Sequence, residues 1–482
     1  MSRRIHRLHL PIEFPAGIAL GEGRDYNHLT IARDGQGRPV LRGTSLAGAL
    51  RHAYERHLGR TATSTTQAEK FFGVALPDVA DGIGQESRLI VGDFVLNTSE
   101  ADIVRRTHHL RNRHSGSVLP GGLFSLEACP PRTKANVTLW LRDDDDSPDQ
   151  SLQFLRTLVG IVQGGLTLGG NAARGLGLVR LRPEGASYHT YHLDRVQDAA
   201  AWLDDYRQWR MDPQRTFSGE VCRPAESIDQ VLHVQLQFTI PRGQDLLIAD
   251  GQGLDYEMEP QYVKASDGRT YWRLPGASLR GLFRSWFSRL AAREGWRVAD
   301  SVRRQKKLWS GEELPKHEQL NGDNLGWCFL PTSDRKHEIA KTDCPIASLF
   351  GSLFQAGRIH IADAYAPCSR MKPSSQCSEE QMRTHVAVDR LTGGAAESML
   401  FDNTVLCSAD HLAFPVELWI HDPQEHEVDW LWRTVRALDV GVLRVGSSKS
   451  SGRLCLAAPP RAEGPFAERL RMLEPFALKR GA

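Results

Sequence analysis

Two helix-opening segments carry residue types suited to holding phosphate. They are Leu41-Arg-Gly-Thr-Ser-Leu-Ala-Gly-Ala-Leu-Arg51 and Leu274-Pro-Gly-Ala-Ser-Leu-Arg-Gly-Leu-Phe-Arg284. A helix start offers unbonded N–H groups and positive dipole potential, and glycine lets another backbone come close. Ser45 and Ser278 stand at the helix openings, and Arg51 and Arg284 lie farther along the same helices. Binding of a phosphate backbone is one reading. Ordinary N-capping by Thr44 or Ser45 with close helix packing is the other. Recurrence of the same arginine in both segments favours the first. A second anion-binding candidate is the glycine-rich stretch from Gly164 to Gly177, which holds Gly169, Gly170 and Arg174. Successive N–H groups in such a loop form a concavity, and Arg174 could close over a phosphate; a flexible turn is the alternative. The stretch is not a P-loop, because Gly-Lys-Ser/Thr is missing and a strand follows it. Gly446-Ser-Ser-Lys-Ser-Ser-Gly452 stands in the corresponding place later in the chain, where Lys449 and Arg453 keep the positive charge.

That correspondence is general. Arg106-Thr-His-His-Leu-Arg-Asn-Arg-His-Ser-Gly116 aligns without a gap on Arg383-Thr-His-Val-Ala-Val-Asp-Arg-Leu-Thr-Gly393. The match sets His108 on His385 and Arg113 on Arg390, while Asn112 stands opposite Asp389. Gly21-Glu-Gly-Arg-Asp-Tyr26 recurs as Gly251-Gln-Gly-Leu-Asp-Tyr256, Leu89 to Asp93 as Ile359 to Asp363, and Leu139-Trp140 as Leu418-Trp419. Such self-similarity marks one module built twice. Residues 1–183 form the first domain, 184–230 a structured linker with a helix from Leu193 to Trp209, and 231–482 the second domain. The second domain carries an insertion at about 303–344. Each unit reads strand, helix, strand, long insertion, strand, helix, strand. That order predicts an α+β protein of two tandem ferredoxin-like domains.

The totals agree. A chain of 482 residues exceeds one ordinary core. Its 60 basic and 58 acidic residues leave a net charge of +2, so any nucleic-acid surface must be a local concentration of arginine. Eight cysteines without a Cys-x-x-Cys pair fit a reducing cytoplasm. No run approaches the ~20 apolar residues of a membrane span, and the start has no apolar core of a secretion signal.

The ordered set of motifs resembles the RAMP superfamily. It runs Gly-x-Gly-x-Asp, Pro-Gly-Ala-Ser-Leu-Arg-Gly, Phe-Gly, Arg-x-His-x-x-x-Asp-Arg-x-Thr-Gly-Gly, then a glycine-rich loop before the last strand. More narrowly it looks like the backbone subunits of type III CRISPR effector complexes. The tandem copy is similar to the fused double-backbone subunits of the type III-D branch and, more distantly, to the single-chain type III-E effectors. The resemblance implies RRM-like cores that line up along a CRISPR RNA beside other effector subunits, gripping its phosphates with the glycine loop and first helix. It also implies β-hairpin thumbs, here in the 105–123 and 383–400 regions, that kink the duplex of guide and target RNA. Active members cut the target RNA beside each kink with a loop aspartate and Mg²⁺ or Mn²⁺; by position these are Asp25 and Asp255. The chemistry is coherent: a kink can bring the RNA 2′-hydroxyl in line with the next phosphate, and a carboxylate can take its proton or position a metal. Capping of a glycine-rich turn is the other role for these aspartates. His108 and His385 would stack on a base or donate to phosphate. A zinc in the second domain would draw on Cys328, His337 and Cys344, with His317 upstream; Ala347 stands where a second cysteine would complete a Cys-x-x-Cys, and buried thiols are the alternative. Two other readings remain at this stage. One is a non-cleaving scaffold bound to CRISPR RNA; the other is an endoribonuclease that processes the precursor RNA.

Overall fold

The computed structural model describes residues 4–25, 28–59, 62–74, 84–111, 118–143, 148–225, 230–249, 259–296, 298, 344–351, 356–369, 378–389, 391–446 and 452–476. In the first half, β1 (Arg4–Phe14), α1 (Gly43–His57), β2 (Leu89–Val91), β3 (Thr133–Asp143), α2 (Pro148–Gln163) and β4 (Arg180–Leu181) follow one another. Their sheet is antiparallel in the order β2-β3-β1-β4. Beyond them lies α3 (Val196–Met211). The second half repeats the series as β5 (Val231–Thr239), α4 (Gly276–Arg293), β6 (Ile359–Ile361), β7 (Ala413–His421), α5 (Glu425–Asp439) and β8 (Cys455–Leu456). Its order, β6-β7-β5-β8, is the same. Each half is thus ferredoxin-like, with its own apolar core between sheet and helices.

Details of packing repeat as well. Thr157 in α2 and Thr434 in α5 each turn a hydroxyl onto the carbonyl four residues back, at 2.9 and 2.7 Å. The thumb hairpin, Val104–Arg111 with Val118–Ala128, pairs Arg106 with Leu126 and His108 with Phe124. The second, Glu380–Val388 with Ala395–Cys407, pairs Arg383 with Asn403 and His385 with Phe401. The glycine loops match less closely. Leu168 and Gly177 are joined as Val445 and Gly452 are, so the second loop is two residues shorter and Gly452 corresponds to Gly177 rather than Gly175.

Two local features differ from what the sequence suggests. The α1 helix is not capped by Thr44 or Ser45. Its first N–H, that of Gly43, is taken by the carboxylate of Asp93 at 2.8 Å, and Asp363 does the same for Gly276 of α4 at 2.8 Å. Glycine is required there because a Cβ on Gly43 would lie 2.4 Å from the Val91 carbonyl, and one on Gly276 2.2 Å from that of Ile361. The apolar and polar residues of Arg4–Leu10 alternate in sequence, yet β1 does not alternate between buried and exposed. It is buried on both faces, with His6, Arg7 and His9 all inside, because the segment after β4 folds back over its outer face. That segment adds the strand Ser187–His192 to the edge of β1 and lays α3 across the sheet. No helix among the described residues is long and apolar enough to cross a membrane.

The halves meet around Asp363. Arg106 reaches out of the first half to place Nη1 at 2.6 Å from Asp363 Oδ2, and Arg273 brings Nε to 2.8 Å from the same oxygen. Arg106 and Asp363 side chains are 2% and 0% exposed. Asp93, the counterpart of Asp363 in the first half, pairs instead with Arg42, and these side chains are 48% and 44% exposed. Removing one partner of a buried ion pair costs far more than removing a surface one. Asp363→Ala should therefore destabilise the protein by about 3–5 kcal/mol and Asp93→Ala by about 1 kcal/mol. Urea unfolding of both variants measures the difference.

Candidate nucleic-acid interface

Asp25 ends the strand Gly21–Asp25, which turns back on His28–Ile31 so that Asp25 pairs with His28. The returning strand runs parallel beside the thumb, His28 against Ser125 and Leu29 against Leu126. The aspartate hairpin and the thumb hairpin are therefore one four-stranded sheet. His28 Nδ1 lies 2.8 Å from Ser125 Oγ, which also accepts from Arg105 at 3.2 Å. The neighbouring acids are committed. Glu22 lies below its usual pKa because it accepts the Arg33 N–H and bonds Arg42. Glu127 accepts the Ile31 N–H at 3.0 Å and Arg33 at 3.1 Å. Asp255, Arg113, Arg390, Lys449, Cys328 and His337 lie outside the described residues. Cys344 lies in the core of the second half, just before the short helix Pro345–Phe350.

At the base of the first thumb, Phe124 carries two groups. The Arg174 guanidinium sits 4.5 Å from its centroid, and His108 stacks on it at 5.4 Å. His108 is pushed down to about 3 by burial and then by Arg273, Arg174 and Arg106. It is a neutral ring and brings no charge to a phosphate; its Nε2 is buried without a partner among the described residues. Arg174 is lowered by burial and also bonds Asn171 Oδ1 at 2.8 Å.

The glycine loop is pinned rather than loose. A Cβ on Gly169, whose φ is +79°, would lie 2.3 Å from the Ala19 carbonyl, and one on Gly446 2.3 Å from that of Leu247. The N–H groups of Gly170, Arg174 and Gly177 bond to Ala19, Asn171 and Gly17 carbonyls at 2.8, 2.7 and 2.8 Å. Those N–H groups are spent inside the fold, so what this part of the loop presents is Arg174. On the helices, Arg51 is held by Glu55 at 2.9 Å and by the Gly73 carbonyl at 3.2 Å. Arg284 and Ser278 are half-buried, while Ser45 is exposed. The second glycine of each helix motif differs from the first: a Cβ on Gly48 or Gly281 would meet nothing within 4 Å. Both are exposed, so these positions leave a helix surface open to close approach. His385 lies half-buried on the second thumb.

Sequence inspection missed the seam. Arg280 of α4 donates to the Ile359 carbonyl at 2.6 Å, lies over Phe350, and is lowered to about 10 by burial and then by Arg174. A cleft of about 130 Å³ between the halves is lined by His52, Arg56 and His57 of α1 together with His360 and His421. Burial lowers His360 to about 4, with Arg280 and Arg56 adding to it, and puts His421 well below its usual value. Arg106, Arg174, Arg273, Arg280 and Arg56 thus gather at the seam in a chain of nearly balanced charge. Arg106 stands in the duplicated thumb motif, Arg174 in the glycine-rich stretch and Arg280 in Leu-Arg-Gly; Arg273 and Arg56 sit in otherwise ordinary strand and helix sequence, and nothing in it shows that the five converge.

A family model described as the RAMP superfamily matches residues 14–180 and, separately, residues 257–453. No curated protein matches the chain.

Buried histidines make the fold acid-labile. His9 and His360 at about 4 and His108 at about 3 stay neutral when folded. The unfolded chain protonates them near 6.5, so it binds more protons and stability falls as pH drops from about 6.5 toward 4. Calorimetry should show Tm falling by several degrees over that window, and His360→Gln should flatten the slope.

Proposed function

The chain belongs to the RAMP superfamily, a family of CRISPR-associated RNA-binding subunits; from that premise we propose that it is a backbone subunit of a type III effector complex that holds CRISPR RNA and cuts the paired target RNA. One observation carries the cleavage reading. The Asp25 strand returns into the strand that runs alongside the thumb, so Asp25 belongs to the same small sheet as the hairpin that would distort the duplex. A nucleotide splayed by the thumb would present its 2′-hydroxyl beside that carboxylate.

Asp25 then takes the hydroxyl proton or orients the attacking oxygen, and Arg174 at the thumb base holds a flanking phosphate. Glu22 and Glu127 are tied to arginines, which leaves Asp25 with the RNA phosphates as the donor set for Mg²⁺ or Mn²⁺. One carboxylate with substrate phosphates is an ordinary set for Mg²⁺. Bound there, the metal would stabilise the charge that develops on the phosphate. Asp255 takes the same role in the second half, giving one cut for each thumb. A structural zinc held by Cys328, His337 and Cys344 is a separate proposal, tested by metal analysis of the purified protein.

The test is cleavage of complementary RNA by complexes carrying Asp25→Ala, Asp255→Ala or both. Each single change should slow one cut by about 10²–10⁴-fold and spare the other. The double change should abolish both while leaving CRISPR RNA binding intact. Cuts that persist at both positions in the double variant would make this subunit a non-cleaving scaffold.

A further inference from the structure

The two halves are joined head to tail. The first half gives a thumb-base arginine and its glycine loop; the second half receives them on the outer face of its sheet. The receiving side is built from Asp363, Ala362 and Trp419. Asp363 takes Arg106, and its N–H bonds the Gly175 carbonyl at 3.1 Å. Trp419 packs so closely on the glycine loop that a Cβ on Gly165 would lie 2.6 Å from it. Trp419 also stacks on His233, its partner across β5, at 4.7 Å.

The first half has the same face. Trp140 pairs across β1 with Arg7 as Trp419 pairs with His233, and Gly92 and Asp93 stand where Ala362 and Asp363 stand. Trp140 is likewise buried, 0% exposed. What covers it is the 184–230 segment. Trp209, Tyr206 and Phe217 surround Trp140 at centroid distances of 6.0, 5.5 and 6.4 Å. Gly92 lies under Trp209, whose ring a Cβ there would meet at 2.6 Å. Arg7 is tied to Asp205, to the Tyr191 hydroxyl at 2.5 Å and to the Ser218 carbonyl at 2.6 Å.

We infer that the 184–230 segment is an end cap. It covers Trp140 and Gly92, the apolar part of the receiving face, with the chain's own aromatic residues and leaves Asp93 at its rim, so a second copy of this chain cannot dock there as the first half docks on the second. The opposite side is open: Arg383, at the position of Arg106, is 46% exposed, with Asp245 3.7 Å away. The chain therefore has polarity, closed at its first half and able to give an arginine only from its second. Its neighbour on the open side is a unit of the same fold with an uncovered aromatic face and a helix-capping acid. Two bodies cannot occupy one face, and this holds whether or not Asp25 cuts RNA.

Cross-linking tests it. Copies carrying Arg383→Cys and copies carrying Asp93→Cys are mixed on a synthetic single-stranded RNA long enough for several copies, then treated with a short bis-maleimide. Products are identified by peptide mass. The intact chain should give no 93–383 product. The same pair in a Trp209→Asp background should give one, with at least a several-fold gain over background. Tyr206→Ser, which removes a smaller part of the cap, serves if Trp209→Asp does not fold. A 93–383 product in the intact chain, or none in a cap variant whose circular dichroism is unchanged, overturns the proposal.

Discussion

A single buried carboxylate organises the molecule. Asp363 has no exposure of its own, and burial alone would raise its pKa; Arg273, Arg106 and the Gly276 N–H outweigh that and hold it below the usual carboxylate range. An uncompensated charge in such a place is costly, so its partners are obligatory. They come from three elements: the first thumb, the strand before α4, and the first turn of α4. One side chain thereby caps a helix, anchors a thumb and joins the halves.

The electrostatics of the seam follow from that junction. Arginines converge to satisfy carboxylates and carbonyls, and their combined field together with burial keeps His108, His360 and His421 neutral. The histidines then act as flat packing surfaces rather than charges. Positive potential is carried by guanidinium groups, which stay charged at any physiological pH. A near-neutral chain can in this way present a local basic track without becoming a polycation.

Duplication also shows what happens when one surface meets two fates. Trp140 and Trp419 occupy the same place in two copies of one sheet. One is sealed by the linker and the other by the preceding half. Both solutions remove a large apolar face from water. They differ in what they do to assembly, since only an inter-unit contact propagates a series.

The sequence alone determined the duplication, the βαββαβ order in each half and the register of the two thumbs. These depend on local periodicity and on residue spacing, which a copied segment preserves. It also marked the glycines of the two helix openings, and at Gly43 and Gly276 a strand carbonyl pressed against the helix start requires glycine. Only the tertiary structure decided that Asp93 and Asp363 are the helix caps, that Arg106 is buried against the other half, that His108 is neutral, and that the 184–230 segment lies on the first sheet. Each of these is set by groups that the fold brings together from distant parts of the chain. Burial and charge compensation act through space, and spacing along the chain carries no record of which distant group will arrive.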